Sequence, residues 1–229
     1  MKGIKRLIAT AFAVVLVTGG ILQTSAETAN VFRANRSAIG KVALTFDDGP
    51  HPRYTHAILE VLKEYGVSAT FFVIGVNVEN YPEAFEEIVD SGCEIGNHTY
   101  SHKNVTSMSE SEMERELSMT EAAIMKHTDI KPTLFRPPQG AYDARAEKLT
   151  KAKGYDIILW SIDTLDWAHT PPDKISASVV SSLDRGDIIL MHDYTSHGNS
   201  AIEALRRIIP QLLEGGYEFV TVSELIKEE

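Results

Sequence analysis

From Lys41 onward, short runs of Val, Ile, Leu and Phe alternate with stretches whose apolar positions recur every three or four residues. The runs predict strands over 42–46, 69–74, 94–97, 133–136, 156–161, 187–191 and 218–222. Most are continuously apolar rather than alternating, the pattern of strands covered on both faces by helices. Helices are predicted between them. One covers 55–65, with Ile58, Leu59 and Leu62 on one face and a stop at Gly66; another covers 82–90, before Gly92. Ser109-x-x-Glu112 reads as a capping box opening a helix that runs to about Lys126. Further helices cover 144–153, 172–183 and 201–213, and Pro210 is expected to kink or tighten the last. About seven strand–helix units in one stretch, 41–227, predict a single α/β domain: a distorted (β/α) barrel of about seven parallel strands, with an open doubly wound sheet as the alternative.

A polar cluster lies just past each of five of these runs: Asp47-Asp48, His98 with His102, Arg136-Pro137-Pro138, Asp163 with Asp166-Trp167, and His192-Asp193. Parallel strands point their C-terminal ends at one rim, so residues far apart in sequence converge there. Each cluster also has an ordinary reading. Asp47-Asp48-Gly49-Pro50 has the composition of a turn, and the Arg136 loop that of a rigid connection with a solvated guanidinium. Asp163 and Asp166 are reasonable caps, and an isolated His pair is commonly structural. Taken together they suggest metal-assisted hydrolysis. His98 and His102 stand four apart, the spacing of one helical turn, and with a carboxylate from elsewhere would leave coordination positions open. A carboxylate beside His192 suits a general acid. There is no Gly-x-Ser-x-Gly elbow, His-Glu-x-x-His helix, phosphate-binding glycine loop or dinucleotide fingerprint. His51, His56, His127, His169 and His197 fall outside the clusters and are expected at the surface.

Residues 1–26 read as a secretory leader: Lys2, Lys5 and Arg6, then an uncharged apolar run, then Thr24-Ser25-Ala26. An uncleaved anchor is the alternative. Cleavage removes three basic residues and no acidic one, so the net charge moves from −10 to −13. That argues against nucleic acid as a partner. Residues 27–40 are polar, without clear periodicity, and read as a linker. Cys93 is the only cysteine, which excludes an intramolecular disulfide.

In order, Thr45-Phe46-Asp47-Asp48-Gly49-Pro50, His98-Thr99-Tyr100-Ser101-His102, Arg136-Pro137-Pro138, Asp163-Thr164-Leu165-Asp166-Trp167 and Leu190-Met191-His192-Asp193 resemble the motifs of the polysaccharide deacetylase family. These are metal-dependent carbohydrate esterases that include chitin and peptidoglycan N-acetylglucosamine deacetylases, on a distorted (β/α) barrel. The resemblance implies that Asp48, His98 and His102 hold a divalent metal, most often zinc, with cobalt or another divalent ion as alternatives. It implies Asp47 as general base, Arg136 as the residue orienting it, and the Gln139 backbone N–H as an oxyanion donor. His192 is implied as the acid, tuned by Asp166, with Trp167 and Leu190 around the acetyl methyl. Many relatives carry Tyr at the position of Gln139, which alters substrate contacts but keeps a backbone donor. The implied partner is an acetylated amino-sugar polymer or oligomer met outside the cell or at the cell wall, with no stable membrane insertion after leader cleavage. The alternatives are an O-acetyl xylan esterase and a catalytically silent carbohydrate-binding domain.

Overall fold

Burial on both faces organises the sheet. The structure, a computed structural model, describes residues 29–195 and 200–228. Its strands are β1 (Val31–Phe32), β2 (Lys41–Asp47), β3 (Thr70–Val73), β4 (Glu94–Asn97), β5 (Leu134–Phe135), β6 (Asp156–Ile158), β7 (Ile162–Asp163), β8 (Ile188–His192) and β9 (Glu218–Phe219). Its helices are α1 (Tyr54–Tyr65), α2 (Gly75–Asn80), α3 (Pro82–Asp90), α4 (Glu110–Ile124), α5 (Ala144–Lys153), α6 (Pro172–Ser182), α7 (Ser200–Glu214) and α8 (Val222–Ile226).

The strands pair in the order β1-β6-β5-β4-β3-β2-β8-β7, every pair parallel, with β9 added beside the start of β2. Alternation along β2 sorts its residues. Val42, Leu44 and Phe46 face the main core under the helices, whereas Ala43 packs inward with Phe72, Leu134, Ile158 and Ile188. Val222 and Leu225 of α8 join that inner cluster. An antiparallel bridge between Ala34 and Asp187 ties the chain after β1 to the start of β8 and curls the sheet's two flanks together. The result is a distorted (β/α) barrel, a curled parallel sheet wrapped by helices, in one domain.

Several boundaries differ from the sequence expectation. The predicted leader and His197 lie outside the described residues. The stretch read as a linker carries β1, which pairs with β6, and Asn35 Nδ2 donates to the carbonyls of Leu225 and Glu228 at 2.8 Å each. Two residues show no periodicity, so long-range pairing alone makes that strand. The run 156–161 breaks after Ile158, and Ile162–Asp163 then joins β8 instead. The run 218–222 stops at Phe219 because Thr221 and Glu224 form a capping box that opens α8. The box at Ser109 and Glu112 opens α4 in the same way. The last long helix passes through Pro210 and ends at Glu214.

Candidate metal centre and catalytic cleft

Because 43, 45 and 47 share the inner face of β2, Asp47 arrives at the barrel mouth directly above Thr45. Arg136, just after β5, fills the space beside them and is fully buried. Its guanidinium donates to Asp47 Oδ1 at 2.7 Å, Thr45 Oγ1 at 2.8 Å, and the carbonyls of Ile158 and Leu159 at 3.2 and 3.1 Å. It also lies 4.1 Å from the Phe72 ring centroid. A buried cation so fully hydrogen-bonded fixes the Asp47 carboxylate in one orientation, and the alternative of a solvated surface Arg does not hold.

Asp48 turns away from Asp47 because its backbone is left-handed, with φ 73°. Its Oδ1 is buried and makes no hydrogen bond, yet lies 3.1 Å from His102 Nε2 and 3.5 Å from His98 Nε2. His98 Nδ1 meets the Arg136 carbonyl at 2.7 Å, and a carbonyl only accepts, so that nitrogen carries the proton and Nε2 offers a lone pair. Among the described residues, Asp48, His98 and His102 form the one group placed to hold a metal ion, their ligand atoms all within 4.8 Å of one another. Two imidazole nitrogens around an orphaned carboxylate oxygen are a donor set that a divalent cation completes. Burial holds the His102 ring below its usual pKa, favouring the neutral form a ligand needs.

The expected helical turn between the histidines is absent. Residues 98–102 form a loop after β4, and Thr99 and His102 both take positive φ, at 67° and 56°. For a β-branched residue this is a costly conformation, held here by surrounding contacts. Asn97 Oδ1 accepts from the Thr99 amide at 2.9 Å. The carboxylate of Glu116 on α4 accepts from the amides of Tyr100 and Ser101 at 3.0 and 2.7 Å and from Ser101 Oγ at 2.8 Å. Glu116 was not expected at the site, since its helix position reads as one more charged residue. Glu116→Ala is expected to loosen the His98–His102 loop and weaken zinc binding about 10–100-fold. Titration calorimetry with zinc checks this, and unchanged affinity would assign Glu116 to stability alone.

Across the cleft, His192 Nδ1 lies 2.7 Å from Asp166 Oδ1, and its amide donates to Asp166 Oδ2 at 2.8 Å. Burial works against the charged ring, but the hydrogen bond and charge of Asp166, joined by the charges of Asp47 and Asp48, outweigh it and raise the His192 pKa to about 9. The chain neighbour, Asp193, is engaged elsewhere: it is buried and accepts from Thr55 Oγ1 at 2.6 Å. A Cβ at position 49 would come within 2.0 Å of its Oδ2, so Gly49 is what lets the two loops meet.

Asp47, Asp48, His98, His102 and His192 line a cleft of about 520 Å³ with Gln139, Trp160, Asp163, Trp167, Leu190, Tyr194 and Thr195. Gln139 has φ 61° at the centre of the Pro138–Gly140 turn. Trp160, Tyr194 and Thr195 are not marked by the sequence, because each abuts a cluster without belonging to it. A larger groove of about 710 Å³ lies between α1 and α3, remote from these groups.

A family model described as polysaccharide deacetylase matches residues 34–158, more than half of the chain. A peptidoglycan-N-acetylglucosamine deacetylase of Bacillus cereus is 39% identical over 188 residues, covering 81% of this chain and 88% of that protein. The crystal structure of a peptidoglycan N-acetylglucosamine deacetylase with a naphthyl N-hydroxybenzamide superimposes with a TM-score of 0.83 at 35% identity, covering 86% of this chain and 92% of that one. A CE4 family pseudoenzyme from Bacillus anthracis gives 0.82 at 33% identity, covering 88% and 70%. Five motifs on one rim, the curled parallel barrel and these matches agree: this chain belongs to the polysaccharide deacetylase family.

Proposed function

We propose that this chain is a metal-dependent amidohydrolase that removes N-acetyl groups from an N-acetylglucosamine-containing polysaccharide, peptidoglycan or a chitin-like chain, and releases acetate. The observation that carries the reading is one cleft holding a cation donor set, Asp48, His98 and His102, between a buried Asp47–Arg136 pair and a His192–Asp166 pair. A divalent cation held there, zinc by preference, would polarise the acetyl carbonyl and acidify water. Asp47 takes a proton from the attacking water, and Arg136 keeps that carboxylate aimed. The Gln139 amide N–H faces the developing oxyanion. His192 gives its proton to the departing nitrogen, and Asp166 holds the ring ready to do so. Leu190 and Trp167 enclose the acetyl methyl.

On this reading a leader at 1–26 is cleaved, and the catalytic domain, 41–227 together with the preceding β1 that completes its sheet, works outside the cell, at the wall. Among the described residues no helix is long and apolar enough to cross a membrane. Mass spectrometry of defined acetylated oligosaccharides after incubation with zinc-loaded protein tests the reading. Loss of acetyl groups from N-acetylglucosamine oligomers is the expected result. Acetate from acetylated xylan alone would replace it with the O-acetyl esterase, and no acetate from any of them with a silent carbohydrate-binding domain.

A further inference from the structure

We propose that His51, Tyr54, Tyr81 and Tyr194 form a stacking platform for a pyranose ring of the polymer, one neighbouring the ring that loses its acetyl group. The inference rests on the polysaccharide reading above and names where the rest of the chain lies. The His51 ring stands 4.6 Å from that of Tyr54 and 4.9 Å from that of Tyr194, both stacked, with Tyr81 tilted at 6.1 Å. Four rings from three segments, gathered at these separations, make one continuous aromatic surface. Tyr81 and Tyr194 remain 36% and 42% exposed.

The platform joins the catalytic cleft, since Tyr194 lines both. His51 is three residues past Asp48, at most about 11 Å along the chain, which suits an adjacent sugar rather than a remote one. Its support is rigid. His51 Nδ1 accepts from the amides of Arg53 and Tyr54 at 3.2 and 3.3 Å, which fixes the ring. The buried bond from Thr55 Oγ1 to Asp193 locks α1 to the segment carrying Tyr194. Rigid aromatic faces lose little entropy on binding, and the apolar face of a pyranose is their natural partner. A cluster that only packed loops together would bury its rings instead of presenting two of them.

The test is the dependence of kcat/KM on chain length for N-acetylglucosamine oligomers, from disaccharide to hexasaccharide, with the zinc-loaded protein. Wild-type kcat/KM is expected to rise with length. In Tyr194→Ala and, independently, in Tyr81→Ala, that rise is expected to shrink about three- to tenfold, mainly through KM, while Tyr194→Phe retains it. Zinc content and melting temperature identify any variant that has not folded. The same rise in both alanine variants as in the wild type overturns the platform alone, as does a flat wild-type profile. Wild-type protein that releases no acetate from any oligomer overturns the deacetylase reading and the platform with it.

Discussion

Purified Asp48→Ala is expected to lack its cation, while Asp47→Asn keeps it and turns over about 10²–10⁴-fold more slowly. The adjacent aspartates differ in environment rather than in chemistry. Asp48 Oδ1 faces two imidazole nitrogens with no hydrogen bond of its own, so its removal deletes one of three ligands. Asp47 Oδ1 is held by the Arg136 guanidinium. An asparagine there still offers that guanidinium an oxygen, but its amide cannot take a proton from water. The buried Arg136 then has no anionic partner, and a modest fall in melting temperature accompanies the loss of turnover. Metal analysis by mass spectrometry, beside acetate release, separates the two roles. Equal cation loss in both variants would contradict the division.

His192→Ala is expected to nearly abolish release of acetate from N-acetyl sugars and to spare a larger fraction of aryl-acetate hydrolysis. A departing amine must be protonated in the transition state, whereas an aryl alcohol leaves readily as its anion. Asp166→Asn gives a milder version, because the ring remains but loses the charge that raises its pKa to about 9. The acid form is present below the raised pKa and is lost as pH rises through it, so the alkaline limb of the rate profile falls near that pH. Removing the Asp166 charge lowers the pKa and moves the limb to lower pH. Measuring kcat/KM for both substrates across pH in both variants checks this. An equal factor on amide and ester, with cation content unchanged, would remove His192 from the role of selective proton donor.

The sequence by itself determined the class of fold and the residues that meet at the rim. Continuous apolar runs such as 42–46 admit few structures other than strands covered on both faces, and parallel strands send the residues beyond their C-terminal ends to one side of the barrel. Asp47, His98, Arg136 and His192 were therefore legible as neighbours, although almost 150 residues separate the first from the last. Local chemistry also fixed the capping box at Ser109 and the stop at Gly66, where the backbone takes φ 65°. Tertiary structure decided the rest. The four-residue spacing of His98 and His102 suggested a helix, but Glu116 and Asn97 hold a strained loop that no local preference would choose. The resemblance paired His192 with Asp166, and the fold brings the two together while it turns the chain neighbour Asp193 toward Thr55. Among the described residues of 27–40, Val31–Phe32 form a strand whose pairing partners lie more than a hundred positions away, beyond the reach of any local pattern. The aromatic surface of His51, Tyr54, Tyr81 and Tyr194 comes from three separate segments, and no pattern along the chain marks residues that meet only after the barrel has closed.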